Sequence, residues 1–335
     1  MKIIAIMLFG SLTQNESICG GAINDPQNLW MIDQQYALID DLARGEDRVA
    51  LISLPDCEEV NNIRIGQGPG ELNSSDSQIT VSIADESIFI WDRGSMVLSE
   101  YDTRLNHLQD HSLDSENYLR GLLFGDYILG VNMDYDKTLA LSEVTQPEDM
   151  QTDLITHLDQ DDLLSYINFK NPLLLQETIV IGDGKRAFVG FGYSANVISL
   201  DHTGITGHTR EPEDADLPSP DPDLGTYAIP DLEETPLYIR DIAVDGDFLY
   251  VLSQPELMED LGLLDRISPS RLESSLLEYE HSDQVHVYGI DDLSYHTTIE
   301  LSEKANSIDV VDGTMYYTKS MRRSTLNMEE ISLDE

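Results

Sequence analysis

Ile242-Ala243-Val244-Asp245-Gly246-Asp247-Phe248-Leu249-Tyr250-Val251 is two short apolar runs joined by a turn. Asp-Gly between alternating apolar residues is a strong hairpin signal, because glycine accepts the positive φ that a two-residue turn demands. The same unit recurs five more times. It appears at Leu29 to Ile39 around Asp33-Gln34-Gln35, at Ile79 to Trp91 around Asp85-Glu86-Ser87, and at Leu122 to Leu129 around Gly125-Asp126. It appears again at Thr178 to Val189 around Gly182-Asp183-Gly184-Lys185, and at Ile308 to Tyr317 around Asp312-Gly313.

The turn aspartates fall at 33, 85, 126, 183, 245 and 312, so the intervals are 52, 41, 57, 62 and 67. The shortest matches the roughly 40–45 residues of a four-stranded propeller blade. Later strands pair within each unit, as Met96-Val97-Leu98 with Leu105 to Leu108 and Val285 to Tyr288 with His296 to Ile299. The pattern predicts an all-β, six-bladed β-propeller over 20–335. The last unit is one strand short, and Ile18 to Ile23 is placed to complete it.

The longer intervals imply insertions near 147–170, 211–237 and 255–281. Met150, Leu154, Ile155 and Leu158 stand at helical spacing behind Asp149 as a cap, which predicts a short helix. Two more short helices are expected between Pro255 and Glu280, the second opened by Ser268-Pro269. Between Arg210 and Arg240 there are nine acidic residues, no basic one and six of the 13 prolines, an extended solvated run.

Of the 335 residues 63 are acidic and 19 basic, a net charge of -44. Self-repulsion on this scale needs screening by counterions, so the composition reads as adaptation to concentrated salt, and that reading requires stability to fall at low ionic strength. Nucleic acid and anionic membrane surfaces are poor partners, since phosphate binding needs a basic face, and a membrane is expected only through a lipid anchor. At 41% hydrophobic residues the chain can bury a full core.

Met1 to Gly10 carries one positive charge and an apolar run, too short to span a bilayer and about right for a signal-peptide core. Residues 1–19 are therefore expected to be an export segment, periplasmic or cell-surface in destination. Cys19 is the candidate lipid acceptor of a lipoprotein, although Glu16 and Ile18 sit where apolar and small residues are wanted. A first β-strand is the plainer alternative. Cys57 is the one other cysteine, from which no disulfide framework is expected.

Between the first and second units runs Ile63-Arg64-Ile65-Gly66-Gln67-Gly68-Pro69-Gly70-Glu71-Leu72. With Ile88 to Asp92 and Tyr101-Asp102-Thr103, it resembles the six-bladed, TolB-like and NHL-like propeller proteins exported by Bacteroidetes-type bacteria. Their usual run is close to Gly-basic-Gly-Pro-Gly-Glu-Phe; here Gln67 replaces the basic residue and Leu72 the aromatic. The motif spans some 40 residues, and the hairpin repeat extends the resemblance more weakly along the chain. It implies fold and export, and no single activity. Gly66, Gly68, Pro69, Gly70 and Glu71 are expected to shape a tight crossover between blades, with Glu71 taking backbone N–H groups. No Lys-Ser/Thr follows to make them a phosphate loop.

Asp134-Tyr135-Asp136-Lys137-Thr138 fits the nucleophile motif of haloacid-dehalogenase-type phosphatases, but it lies between two runs that read as a hairpin. Asp221-Pro222-Asp223-Leu224-Gly225 begins like a calcium loop, yet its twelfth position is Leu232 and its glycine comes early. Gly192 to Asn196 lacks the second glycine of a nucleophile elbow.

Two tripeptides remain. Tyr118-Leu119-Arg120 and Tyr238-Ile239-Arg240 precede the inner strands of two units, where loops enter the central channel. Arg120 and Arg240, with Tyr118 and Tyr238, form a candidate site for an anionic or sugar-like small molecule or a protein partner. Pairing of each arginine with neighbouring carboxylates is the competing reading. The favoured function is an exported binding or scaffolding module without catalysis of its own. The alternative is a metal-dependent hydrolase of the gluconolactonase and regucalcin propeller type, with a divalent cation such as Ca²⁺ held by Glu71, Asn73, Glu177, Asp241 and Asn306.

Overall fold

The computed structural model describes residues 16–333, apart from 21–22, 24–25, 44–45, 55, 67–70, 74–78, 85–86, 113–117, 133–138, 147–150, 159–177, 192–196, 210–237, 255–281, 320–324 and 332. Twenty-four strands form six antiparallel four-stranded sheets. Strand β1 (Glu16–Gly20) belongs to the last blade. Blade 1 is β2 (Pro26–Met31), β3 (Tyr36–Ala43), β4 (Glu46–Ser53) and β5 (Glu58–Arg64), and blade 2 is β6 (Ile79–Ala84), β7 (Ser87–Asp92), β8 (Val97–Asp102) and β9 (His107–Ser112). Blade 3 is β10 (Tyr118–Phe124), β11 (Tyr127–Asn132), β12 (Leu139–Gln146) and β13 (Gln151–Leu158), and blade 4 is β14 (Thr178–Gly182), β15 (Ala187–Phe191), β16 (Val197–Asp201) and β17 (Gly204–His208). Blade 5 is β18 (Tyr238–Asp245), β19 (Phe248–Gln254), β20 (Ser282–Gly289) and β21 (Tyr295–Ala305).

Blade 6 takes β22 (Ser307–Val311), β23 (Thr314–Lys319) and β24 (Thr325–Glu330) from the C-terminal end and β1 from the N-terminal end. The missing strand is thus supplied by the other end of the chain, with Glu16 opposite Met328 and Gly20 opposite Thr325. All six hairpins of the sequence pattern are the first hairpins of their blades. Innermost strands of neighbouring blades contact one another, as β10 does β6 and β14, and β22 does β18 and β2. The core lies between the sheets, in clusters that mix residues of adjacent blades such as Leu38, Leu51, Ile88 and Ile90.

Three expectations change. Residues Gln151–Leu158 are a strand, not a helix: β13 pairs along β12, with Leu154 opposite Ser142. The helical spacing of its apolar residues gave way to a waiting sheet edge and to the β-branched Thr152, Ile155 and Thr156. Among the described residues there is no helix; the expected helices between 255 and 280 and the acidic run 211–237 lie outside them.

The propeller also begins before residue 20, since Glu16 to Cys19 already belong to blade 6. And the two cysteines are joined: Cys19 and Cys57 form a disulfide, with their Cα atoms 5.2 Å apart, inside the range such a bond needs. The expectation of no disulfide fails because ring closure brings together residues 38 apart in sequence. The bond occupies the sulfur that a lipid would need, and Cys19 is fully buried, so the lipid-acceptor reading of Cys19 does not fit this structure.

The Gly66–Glu71 run leaves the last strand of blade 1 and enters blade 2. Ile65 and Leu72 form a parallel bridge, Gly66 N–H donates to Leu72 O at 2.7 Å, and Leu72 N–H to Arg64 O at 2.9 Å. A Cβ at Gly66 would run into the Glu71 carboxylate, which would have to swing aside to admit it. Gln67 to Gly70 lie outside the described residues.

Candidate functional site: the two mouths of the channel

The innermost strands all start at one end of the channel and turn back at the other, so the ring has a strand-start mouth and a hairpin mouth. Register aligns the blades. The pairs closing the first hairpins are Ala84 with Ser87, Phe124 with Tyr127, Gly182 with Ala187, Asp245 with Phe248 and Val311 with Thr314. Four residues before each closing pair stand Thr80, Arg120, Thr178, Asp241 and Ser307. Blade 1 aligns through its bonds. Leu29 N–H donates to Ser307 Oγ at 2.9 Å just as Ile308 N–H donates to Asp241 Oδ2 at 2.9 Å, which puts Asn28 at the same level. One polar position therefore rings the strand-start mouth.

Register also corrects the two tripeptides. Each strand carries a bulge, between Tyr118 and Arg120 in β10 and between Ile239 and Asp241 in β18. Arg120 lies at the level of Asp241, and Arg240 is the bulged residue one place earlier. The two arginines nevertheless grip equivalent atoms. Arg120 Nη1 donates to Ile79 O in blade 2, and Arg240 Nε donates to Asn306 O at the start of blade 6, both at 3.3 Å. One reaches back a blade and the other forward. Both act on backbone carbonyls of the next innermost strand, which the carboxylate-pairing reading did not foresee.

Around Arg120 the mouth is charged. Burial, with the neighbouring Arg93, pulls the guanidinium pKa down to about 10, and Asp40 opposes both. Asp40 sits opposite Asn28, fully buried. Its Oδ2 accepts from Asn28 Nδ2 at 3.1 Å, while its Oδ1 is buried with no hydrogen bond among the described residues. Burial raises its pKa to about 6; the Asn28 bond pulls the other way, Asp41 and Asp47 push it up, and Arg120 holds it down. Asp40 is a group the sequence reading missed. Its only signal there was an acidic residue inside an apolar strand, Ala37-Leu38-Ile39-Asp40.

The described metal-ligand candidates fall into two pairs, Glu71 with Asn73 at the blade 1–2 connector and Asp241 with Asn306 at the seam of blades 5, 6 and 1. Asn73 is committed at the blade 1–2 connector, its N–H donating to Asp92 Oδ2 at 2.7 Å and its side chain to Gly94 O at 3.2 Å. Glu71 is packed over Gly66 in the same connector. Asp241 and Asn306 belong to the seam of blades 5, 6 and 1. Asp241 accepts from Ser307 Oγ, Ile308 N–H and Ile242 N–H, and Asn306 Nδ2 donates to Pro26 O at 2.5 Å. Glu177 lies outside the described residues. No group of three or more His, Cys, Asp or Glu that could hold a metal occurs among the described residues.

At the hairpin mouth there is a cavity of about 280 Å³ to which all six blades contribute, through Trp30, Ile83, Phe124, Ile181, Val244 and Val310 among others. Its polar lining includes Ser82, Asp245 and Asp309. Asp309 accepts from Met31 N–H at 2.6 Å and Val310 N–H at 2.8 Å. Its burial raises the pKa to about 7; the two N–H bonds pull it down, and Asp241 and Asp245 raise it again.

With this geometry in hand, known structures can be compared. No family model and no curated protein matches the sequence. A protein from Bacteroides fragilis, whose description proposes export, superposes with a TM-score of 0.55 at 12% identity, over 96% of this chain and 94% of its own. A member of the DUF4221 family from Bacteroides vulgatus gives 0.52 at 9% identity, over 94% of each chain. The shared feature is the fold. This chain is a six-bladed β-propeller.

Proposed function

We propose that this propeller is an exported binding module whose strand-start mouth takes a small hydroxylated anion, a sugar acid in chemical class. The observation that carries the reading is the buried Asp40 Oδ1, which lacks a hydrogen-bond donor among the described residues and stands in the electrostatic field of Arg120. A group that supplies a hydroxyl to Asp40 and a carboxylate to Arg120 and Arg93 would satisfy both signs at once. Arg240 stands two blades further round the ring, and Tyr118 and Tyr238 begin the strands that carry the two arginines.

Export is supported by the Cys19–Cys57 bond, since disulfides persist in oxidising compartments, and by the resemblance of the Gly66–Glu71 run to exported propellers. The TolB-like and NHL-like subtype remains part of this proposal.

The test is calorimetric titration of glucuronate and galacturonate against glucose into the wild-type protein, Arg120→Lys, Asp40→Asn and the Arg120→Ala/Arg240→Ala pair. Binding of the acids is expected to weaken at least tenfold in Arg120→Lys and Asp40→Asn. Unchanged binding and unchanged stability in the double variant would remove the proposal.

A further inference from the structure

The hairpin mouth differs in charge from the strand-start mouth. Among the described residues, Arg48, Arg64, Arg93, Arg120, Arg240, Lys304 and Lys319 lie on strand ends or turns of the strand-start face. The hairpin face, made by the first and third turns of each blade, carries Arg104, Lys185 and Arg186. Arg186 is already bound to Asp183 at 3.1 Å and Asp291 at 3.0 Å. Against these few cations the same face sets a carboxylate in a turn or at a strand end of every blade, including Asp33, Asp102, Asp126, Asp183, Asp247 and Asp312. The cavity opens in the centre of that face.

Its walls are mostly apolar, and Ile83 remains 39% exposed there although it is a large aliphatic side chain on an innermost strand. Asp245 accepts from Gly313 N–H at 2.8 Å through Oδ2, and its other oxygen carries no hydrogen bond among the described residues. A concave, largely apolar site with one or two placed polar groups is how proteins hold small organic ligands. The wall chemistry selects among cations. Ca²⁺ requires six to eight oxygen ligands and Mg²⁺ an octahedron of them, whereas this cavity offers two carboxylates, each already engaged by backbone N–H groups. An alkylammonium ion suits it: a methylene chain for the Ile, Val and Trp walls and one cationic head for Asp245, with Trp30 available to a cation through its ring.

We propose that the hairpin mouth is a binding site for a small primary alkylammonium compound, held by Asp245 with Asp309 behind it and by the apolar walls from all six blades. The site is separate from the strand-start mouth and does not depend on what binds there. The acidic rim concentrates cations at the opening, and the cavity volume limits the occupant to a small molecule.

The probes are n-butylammonium and n-hexylammonium chloride, titrated at constant ionic strength, with n-pentanol and sodium chloride as the neutral and inorganic controls. Saturable binding of the ammonium ions is expected, tighter for the longer chain, with pentanol at least tenfold weaker and sodium unable to compete at equal concentration. Asp245→Asn keeps an oxygen for Gly313 N–H and should weaken butylammonium at least tenfold. Ile83→Trp changes a partly exposed wall residue, fills the cavity without touching the carboxylates, and should abolish binding even if the Asp245 variant folds poorly. Absence of saturable binding, equal binding of pentanol, or wild-type affinity in Ile83→Trp would overturn the assignment. Binding of a lysine-bearing peptide without any binding of the free ammonium ions would overturn it too, by making the face a protein-docking surface.

Discussion

The seam that joins blades 5, 6 and 1 is latched by polar side chains, whereas the seam between blades 2 and 3 is fitted by shape. At the first, Asp241 takes Ser307 Oγ and Ile308 N–H, Ser307 takes Leu29 N–H, Asp245 takes Gly313 N–H and Asp309 takes Met31 N–H. At the second, Gly121 lies so close to Trp91 that a Cβ would come within 2.9 Å of the indole ring, and the polar contribution is Ser82 accepting from Leu123 N–H and Arg120 capping Ile79 O. Blades 2 and 3 follow one another along the chain, so connectivity already holds them together. Blades 6 and 1 come from opposite ends, so the Ser307–Leu29 and Asp309–Met31 bonds and the disulfide specify their join, and Asp241 and Asp245 carry the same polar latch back into blade 5.

Removing the disulfide breaks this comparison most severely. It closes a loop of 38 residues and ties β1 of blade 6 to the β4–β5 turn of blade 1. In the chain-entropy account such a bond contributes about 4 kcal/mol. Cys19→Ser/Cys57→Ser is expected to lower the unfolding free energy by about 2–4 kcal/mol, read by denaturant titration, and early loss should show in the exchange of β1 and β24 amides. A variant as stable as the wild type would mean that the polar latch alone closes the ring.

A paired substitution separates latch from shape. Asp241→Ala leaves Ile308 N–H and the Ser307 hydroxyl without their acceptor in a buried seam, a loss of about 2–3 kcal/mol. Gly121→Ala overpacks the indole and should cost about 1–2 kcal/mol, with no dependence on pH. Equal pH responses of the two variants, measured by thermal unfolding between pH 5 and 8, would dissolve the distinction.

The last effect is the pH slope. Asp309 has its pKa raised by burial from 3.8 to about 7, so its neutral form is the one the fold favours. Its contribution to stability is greatest below about pH 4 and is lost as pH rises through 7. Asp309→Asn should therefore flatten the decline in stability as pH rises from 5 to 7. A slope unchanged by the substitution would show that Asp309 does not titrate in this range.

Much of the architecture was legible because a hairpin is a local event. Asp245-Gly246 and Asp312-Gly313 encode a turn within a few residues, and repetition of that signal six times implies a ring. The short final unit even announced that an end of the chain had to return. The helix expected at Met150 to Leu158 failed because four apolar residues fit a period of 3.6 by coincidence and β12 offered an unpaired edge. The site was less legible. Tyr118 to Arg120 and Tyr238 to Arg240 look equivalent as text, but the bulges displace one of them by a residue.

The sequence by itself determined the six first hairpins, their turns, the number of blades and the acidity, since each of these rests on neighbours in the chain or on composition. Only the tertiary structure decided which groups meet. The Cys19–Cys57 bond, the Asp241–Ser307–Leu29 latch and the placing of Asp40 in the field of Arg120 all join residues from different blades or chain ends. Contacts of that kind depend on the register and curvature of the whole ring, and no local propensity carries them.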